Sequence, residues 1–232
     1  MKTFTDPEFG EITVSYKASA RMMRISVGTD GRLKASAPNY TPLFAVKAMV
    51  AAQRDQIRSL YTAQNTPQSY QHGDIIGKSH HLVIVPIGTS KKADSRIQGQ
   101  NIIIHVPTNT PVSSPHVQRV IRDAAIQALR IEAKAYLPRR LKELAKNNGY
   151  TYERVRFSHA GTRWGSCSST GTISLNIALM KLPNELIDYV LSHELAHTRH
   201  MNHSAAFWRE VSTTDPHYKL HRRQMKAYSP TV

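Results

Sequence analysis

His193-Glu194-Leu195-Ala196-His197, with His203 six positions further on, constrains this chain more than any other stretch. Residues four apart share one face of an α-helix, so His193 and His197 can reach a single metal ion. Glu194, beside the first ligand, is placed to hold and deprotonate a water on that metal. His203 has the character of a third ligand, which leaves a fourth position open for water and substrate. Open coordination marks a catalytic zinc and not a structural one. The expected cofactor is therefore one zinc per chain, with another divalent metal as the substitute.

The motif must lie on a helix, and the surrounding residues supply one. Leu186, Ile187, Val190, Leu191 and Leu195 recur at helical spacing, with Pro183 suited to the first turn and Asn184 as an alternative cap. At about 100° per residue, Leu186, Val190 and His197 fall on the side of His193, and Ile187, Leu191 and Leu195 on the other. A helix apolar nearly all round is buried. Histidines on it need partners, and a metal provides one. Histidines are also simply frequent here, since six of twelve lie between 193 and 221. Composition alone, however, requires neither the glutamate nor the apolar helix beneath it.

For the third ligand two residues compete. His203 stands at the offset used in H-E-x-x-H-x-x-G-x-x-H sites, but His200 replaces the glycine of that pattern and no Met-turn follows, so the metzincins themselves are disfavoured. Asn202, which tolerates left-handed backbone, is expected to end the helix and turn His203 back to the metal. Glu210 is the rival, as the carboxylate of a His-His-Glu site; His203 is the more specific signal. His200 is a candidate substrate contact or an exposed residue at a fraying helix end. Arg163 is a second candidate substrate contact, with packing on Trp164 or pairing with a carboxylate as the plain alternative. Cys167 reads as a small, buried, unreactive residue.

The 232 residues suffice for one large or two small domains, and 40% apolar content for a real core. No run approaches the roughly 18 apolar residues of a membrane span. The N-terminus lacks the apolar segment of a secretory signal, and the single Cys167 permits no intrachain disulfide, so a soluble protein of the reducing cytoplasm is expected. Net charge is +15, which favours acidic partners, nucleic acid among them. The excess is spread out, with 13 Lys+Arg against 7 Asp+Glu in residues 1–112 and 18 against 9 in 113–232. That distribution describes a generally basic surface at least as well as a nucleic-acid groove.

Alternating apolar residues predict strands at Ile12-Val14-Tyr16, Met23-Ile25-Val27 and Leu33-Ala35-Ala37, with Asp30-Gly31 as a hairpin turn. Residues 42–62 read as a helix, and Ile75-Ile76, Leu82 to Val85 and Ile102 to Ile104 as further strands. The polar stretch from Gly88 to Gln100 reads as an exposed loop. Ser113-Ser114-Pro115 starts a helix that Pro138 is expected to interrupt or kink before Asn147-Asn148-Gly149 ends it. Val155 to Phe157 and Ile173 to Ile177 are strands flanking a loop or hairpin from Arg163 to Gly171. Ser204 caps a helix bearing Phe207, Trp208 and Val211. The fold class is thus α+β: a β-rich N-terminal subdomain, 1–112, then a zincin-like catalytic domain, 113–232, with a buried His-Glu-x-x-His helix.

Two stretches also carry a resemblance. One is Thr162-Arg163-Trp164-Gly165-Ser166-Cys167-Ser168 with Gly171-Thr172-Ile173-Ser174-Leu175-Asn176. The other runs from Ile187-Asp188-Tyr189-Val190 through the histidine motif to Asn202-His203-Ser204 and Phe207-Trp208. Together they resemble the YgjP-like metallopeptidases, relatives of the SprT-like zincins; the strong motifs cover about residues 155–211. The resemblance implies His193, His197 and His203 as metal ligands and Glu194 as catalytic base. It leaves the substrate open, because SprT-like relatives act on DNA-associated proteins and some YgjP-like members are described as nucleoside triphosphate pyrophosphatases.

The leading expectation is a zinc-dependent peptidase acting on a peptide or protein, with the segment Ile173 to Ile177 as an edge for an extended substrate. The alternative is a divalent-metal pyrophosphatase acting on a nucleotide such as UTP. Three histidines speak against it, because phosphate chemistry usually takes oxygen ligands, and no phosphate-binding Gly-Lys loop is present. A nucleic-acid-binding module with a structural metal is the lesser alternative, disfavoured by the open fourth position.

Overall fold

The computed structural model describes residues 2–6, 8–27, 33–57, 70–88 and 92–232. Two compact units emerge, Met1–Ser69 and Tyr70–Val232.

In the first unit, β1 (Lys2–Asp6), β2 (Gly10–Lys17), β3 (Arg24–Val27) and β4 (Leu33–Pro38) form one sheet in the order β1-β2-β4-β3. Period-two alternation sends Ile12, Val14, Leu33, Ala35 and Ala37 to one face, where Val46 and Val50 of helix α1 (Leu43–Ala52) cover them. The opposite face carries Thr13, Ser15, Lys34 and Ser36, paired in register. Within the expected 42–62, α1 ends at Ala52 and helical backbone resumes over 54–57 after a turn at Gln53. Residues 58–62 and the Asp30-Gly31 turn lie outside the described residues.

The second unit is organised around α2, a helix running unbroken over Pro115–Asn147. Ser114 caps it, accepting a hydrogen bond from the Val117 amide at 3.4 Å. Pro138 sits inside this helix without dividing it, so of the expected interruption or kink the interruption does not occur. Leu137, Leu141 and Ala145 are buried on both sides of the proline, and that continuous packing offsets the hydrogen bond proline cannot donate. On α2 rest β5 (Ile75–Ile76), β6 (His80–Ile87), β7 (Asp94–Gln98) and β8 (Asn101–Pro107), in the order β5-β6-β8-β7. Leu82, Ile102 and Ile104 of this sheet share one core with Ile121, Ala125, Ala128 and Leu129 of α2 and with Ile173, Leu175, Leu191 and Leu195.

That shared core puts the division after residue 69, not between 112 and 113. A sheet whose apolar face is covered by α2 cannot belong to a separate unit. The polar 88–100 stretch also differs from the expected loop, because Asp94–Gln98 pairs antiparallel with β8. An exposed edge strand needs no apolar alternation, so nothing in its sequence announces it.

The site lies in the last third. Strands β9 (Arg154–Ser158), β10 (Gly165–Cys167) and β11 (Thr172–Asn176) form a sheet in the order β10-β11-β9. A 3-10 turn, Ile177–Lys181, leads into helix α3 (Asn184–Ala196), followed by α4 (Ala205–Thr214) and α5 (Tyr218–Gln224). Among the described residues no helix is long and apolar enough to cross a membrane.

Candidate metal centre

Leu186, Ile187, Val190, Leu191 and Leu195 are all buried, which anchors α3 on both sides as its composition requires. Pro183 occupies the cap position, with no side-chain capping bond. His193 and Glu194 lie in the last turn and His197 at the C-terminal cap. Beyond it the chain folds over in tight turns, with the amides of Thr198, Arg199 and His200 donating to the carbonyls of Leu195, Ala196 and Ala196. No non-glycine residue among those described has a positive φ. The reversal thus needs no left-handed Asn202, contrary to expectation. Ser204 accepts from the Phe207 amide at 3.4 Å to start α4, which sets His203 just ahead of a helix start.

These elements bring His193, His197 and His203 together, with one ligand nitrogen from each lying within 4.8 Å of the others. The Phe207 ring packs beneath all three, at 4.9, 4.5 and 4.8 Å between centroids. The expected rival Glu210 is elsewhere. It pairs with Arg199, and although burial pushes its carboxyl up, hydrogen bonds from Tyr150 and Arg199 hold it below its usual value. Arg199 also donates to the Gly149 carbonyl at 2.6 Å and stacks over Tyr150 at 4.2 Å. It thereby ties the turn between His197 and His203 to the end of α2.

Electrostatics suit a cation held by neutral imidazoles. Burial, then the charges of His197, His203 and Arg222, push His193 down to about 3. Burial likewise lowers His197, opposed by its bond to the His200 carbonyl. In that bond His197 donates from Nδ1 at 3.0 Å, which leaves Nε2 with a free lone pair. The contribution of His200 to the centre is therefore its carbonyl oxygen. The Nε2 atoms of His193 and His203 stand 3.1 Å apart, close to the roughly 3.3 Å between two nitrogens on a tetrahedral zinc. Unprotonated nitrogens facing each other repel, and a shared cation removes the conflict. The donor set fits a divalent transition metal.

Glu194 is 5% exposed, and its Oε2 is buried with no hydrogen-bond partner. Burial pushes its carboxyl up to about 8, against an opposing pull from the Arg163 charge. Its neighbour across the site is Gly165 of β10. A Cβ built on Gly165 would lie 2.6 Å from Glu194 Oε1 and 2.8 Å from its Cδ and Cγ. Sequence reasoning noted Gly165 only as part of a glycine-containing loop. The close approach that requires it comes from a residue distant in the chain.

Strand β11 is central in its sheet, bonded antiparallel to β10 and parallel to β9. The expected edge at Ile173 to Ile177 is thus not an edge; β10, beside Glu194, is. Asn176, fully buried at the end of β11, donates from Nδ2 to the carbonyls of Ala160, Arg163 and Pro230 at 2.7, 3.0 and 3.2 Å. Its Oδ1 accepts from the Ala178 amide at 3.0 Å. It secures the segment that carries Arg163, whose side chain is exposed. Cys167 is half-buried, and burial followed by the Glu194 charge raises its thiol, which suits the inert role expected.

A buried helix carrying two histidines and a glutamate, with a third histidine closing the cluster, defines a metal-dependent hydrolase of the metallopeptidase class. A family model described as YgjP-like, metallopeptidase domain, matches residues 21–228, and the chain belongs to that family. Two crystal structures are similar over part of the chain. The metallopeptidase zymogen of Pyrococcus abyssi abylysin is 32% identical, covering 39% of this chain and 92% of its own, with a TM-score of 0.36. That of Methanocaldococcus jannaschii jannalysin is 21% identical, covering 38% and 93%, with a TM-score of 0.32. No curated protein sequence matches the chain.

Proposed function

We propose that the chain hydrolyses peptide bonds with one zinc ion held by His193, His197 and His203 and with Glu194 as general base. The observation that supports this most directly is the gathering of three ligand nitrogens within 4.8 Å beside a buried carboxylate oxygen that has no partner. Three nitrogen donors favour zinc over magnesium or calcium. A cation bound there supplies Lewis acidity towards the scissile carbonyl and the attacking water.

The chain's own residues do the rest. Glu194 Oε2 has unused acceptor capacity, and its carboxylate, ionised beside the bound cation, takes the proton of the attacking water and returns it to the leaving amine. The exposed edge of β10 offers backbone groups to an extended peptide, which would then pass directly over Gly165 and Glu194. Arg163, on the segment entering β10, binds an acidic group of the substrate. His200 acts on the centre through its carbonyl by orienting His197.

The test combines metal analysis with peptide hydrolysis. Glu194→Gln should keep stoichiometric zinc while kcat falls by about 10²–10⁴-fold, the usual range for loss of a general base. His203→Ala should lose both metal and activity. Full zinc retention by His203→Ala, or full activity of Glu194→Gln, would contradict the assignment.

A further inference from the structure

Arg222 is a cation near His193 with no anion of its own among the described residues. It projects from α5, and its guanidinium lies 4.6 Å from the Trp208 ring centre. The same indole stacks on the His203 ring, 5.6 Å away and 24° from parallel, and lies 5.9 Å from that of His193. Arg222 is exposed. Among the described residues it has no hydrogen-bond or ion-pair partner, although its charge is felt at His193 and Tyr189. Asp215 is engaged elsewhere: its carboxylate accepts from His221 Nδ1 at 2.7 Å and from the His217 amide at 2.9 Å.

Arg163 is in the same condition on another element. Its exposed side chain has no partner among the described residues, while its charge reaches Glu194. The charges of these two guanidiniums thus reach α3, whose Asp188 is taken by Arg140 and whose Glu194 the peptidase reading reserves for chemistry. A guanidinium lying over an indole keeps N–H groups available, and these match a carboxylate in two parallel hydrogen bonds. Stacking also holds the group in place beforehand, so less freedom is lost on binding.

We propose that Arg222, held on Trp208, is a specificity residue which, with Arg163, selects peptides bearing Asp or Glu side chains next to the scissile bond. This rests on the peptidase reading above. Lysine or arginine at the same substrate positions is disfavoured by like charge. The stacked guanidinium reads one substrate position, and Arg163, which precedes the β10 edge, reads another.

The experiment uses the zinc-loaded full chain and matched fluorogenic peptides that differ only in Glu, Gln or Lys at each position flanking the cleaved bond. At one position or more, Glu should exceed Gln in kcat/KM by about tenfold, expressed mainly in KM and diminishing as salt is raised. Arg222→Gln should bring the Glu-to-Gln ratio at its position close to one, and Arg222→Lys should restore part of it through charge without the planar fork. Arg163→Gln should act at a different position. Equal cleavage of Glu and Gln peptides by the wild type, or an unchanged ratio in Arg222→Gln, overturns the proposal and leaves the peptidase reading standing. If no peptide is cut while UTP is hydrolysed, the peptidase reading itself fails.

Discussion

Replacing Gly165 with alanine isolates how the edge strand positions the Glu194 carboxylate, the general base proposed above. The glycine has no positive φ, so alanine meets no backbone strain there. The obstacle is contact: the new Cβ would sit 2.6 Å from Glu194 Oε1, whereas ordinary van der Waals contact begins at 3.4 Å. The difference, 3.4 − 2.6, requires the carboxylate to move by about 0.8 Å. The obstructing atoms, Oε1, Cδ and Cγ, belong to one buried side chain, so the new methyl is accommodated only by turning the Glu194 carboxylate aside. Stability should fall by about 1–3 kcal/mol, the range for overpacking a buried site. Catalysis should suffer as well, since a displacement near 1 Å at a reacting group costs on the order of 10²-fold. We therefore expect kcat to fall by about 10- to 100-fold, with zinc content close to wild type and the thermal midpoint lowered by only about 2–10 °C. Steady-state kinetics, metal analysis and a melting curve on one preparation decide the matter. An undiminished kcat would refute the idea that β10 positions Glu194, and a large loss of zinc would place the effect at the ligands.

Other expected outcomes follow from buried polar groups. Glu132, buried under the turn before β6, accepts from the amides of Lys78 and Ser79 at 2.7 and 2.9 Å and from His80 Nδ1 at 2.7 Å. Burial alone would raise its carboxyl, but those bonds hold it below the usual value. The stabilisation it contributes is therefore complete above the unfolded carboxyl's pKa, about 4.3, and disappears as pH falls through the lower folded value. Glu132→Gln should cost about 3 kcal/mol near neutrality, with the gap to wild type narrowing in denaturant melts below that pH. Asn176→Ala strips hydrogen bonds from three carbonyls and one amide, and should destabilise by about 2–4 kcal/mol. Asn176→Asp, which sets an acceptor against those carbonyls, should be no better in a thermal melt.

The sequence by itself located the histidine-glutamate cluster and the elements that carry it. His193, Glu194 and His197 are positioned by helical periodicity, and the serine caps at 114 and 204 by hydrogen bonds three residues long; such signals are local and survive in one dimension. His203 was also legible, through its offset from His197, although the turn that delivers it does not use Asn202 as expected. Tertiary structure alone decided what depends on surfaces meeting across the chain. The polar Asp94–Gln98 strand exists because β8 pairs with it, and α2 runs through Pro138 because its apolar face is buried on both sides. The division falls after residue 69 because α2 and the β5–β8 sheet cover one another. Likewise β11 became the centre of its sheet and β10 the edge, which brought Gly165 against Glu194 and set Arg222 on Trp208. The physical reason is common to all of these. A helix's hydrogen bonds and caps join residues at most a few positions apart, whereas close approach, burial and a sheet's order depend on partners that the linear pattern does not name.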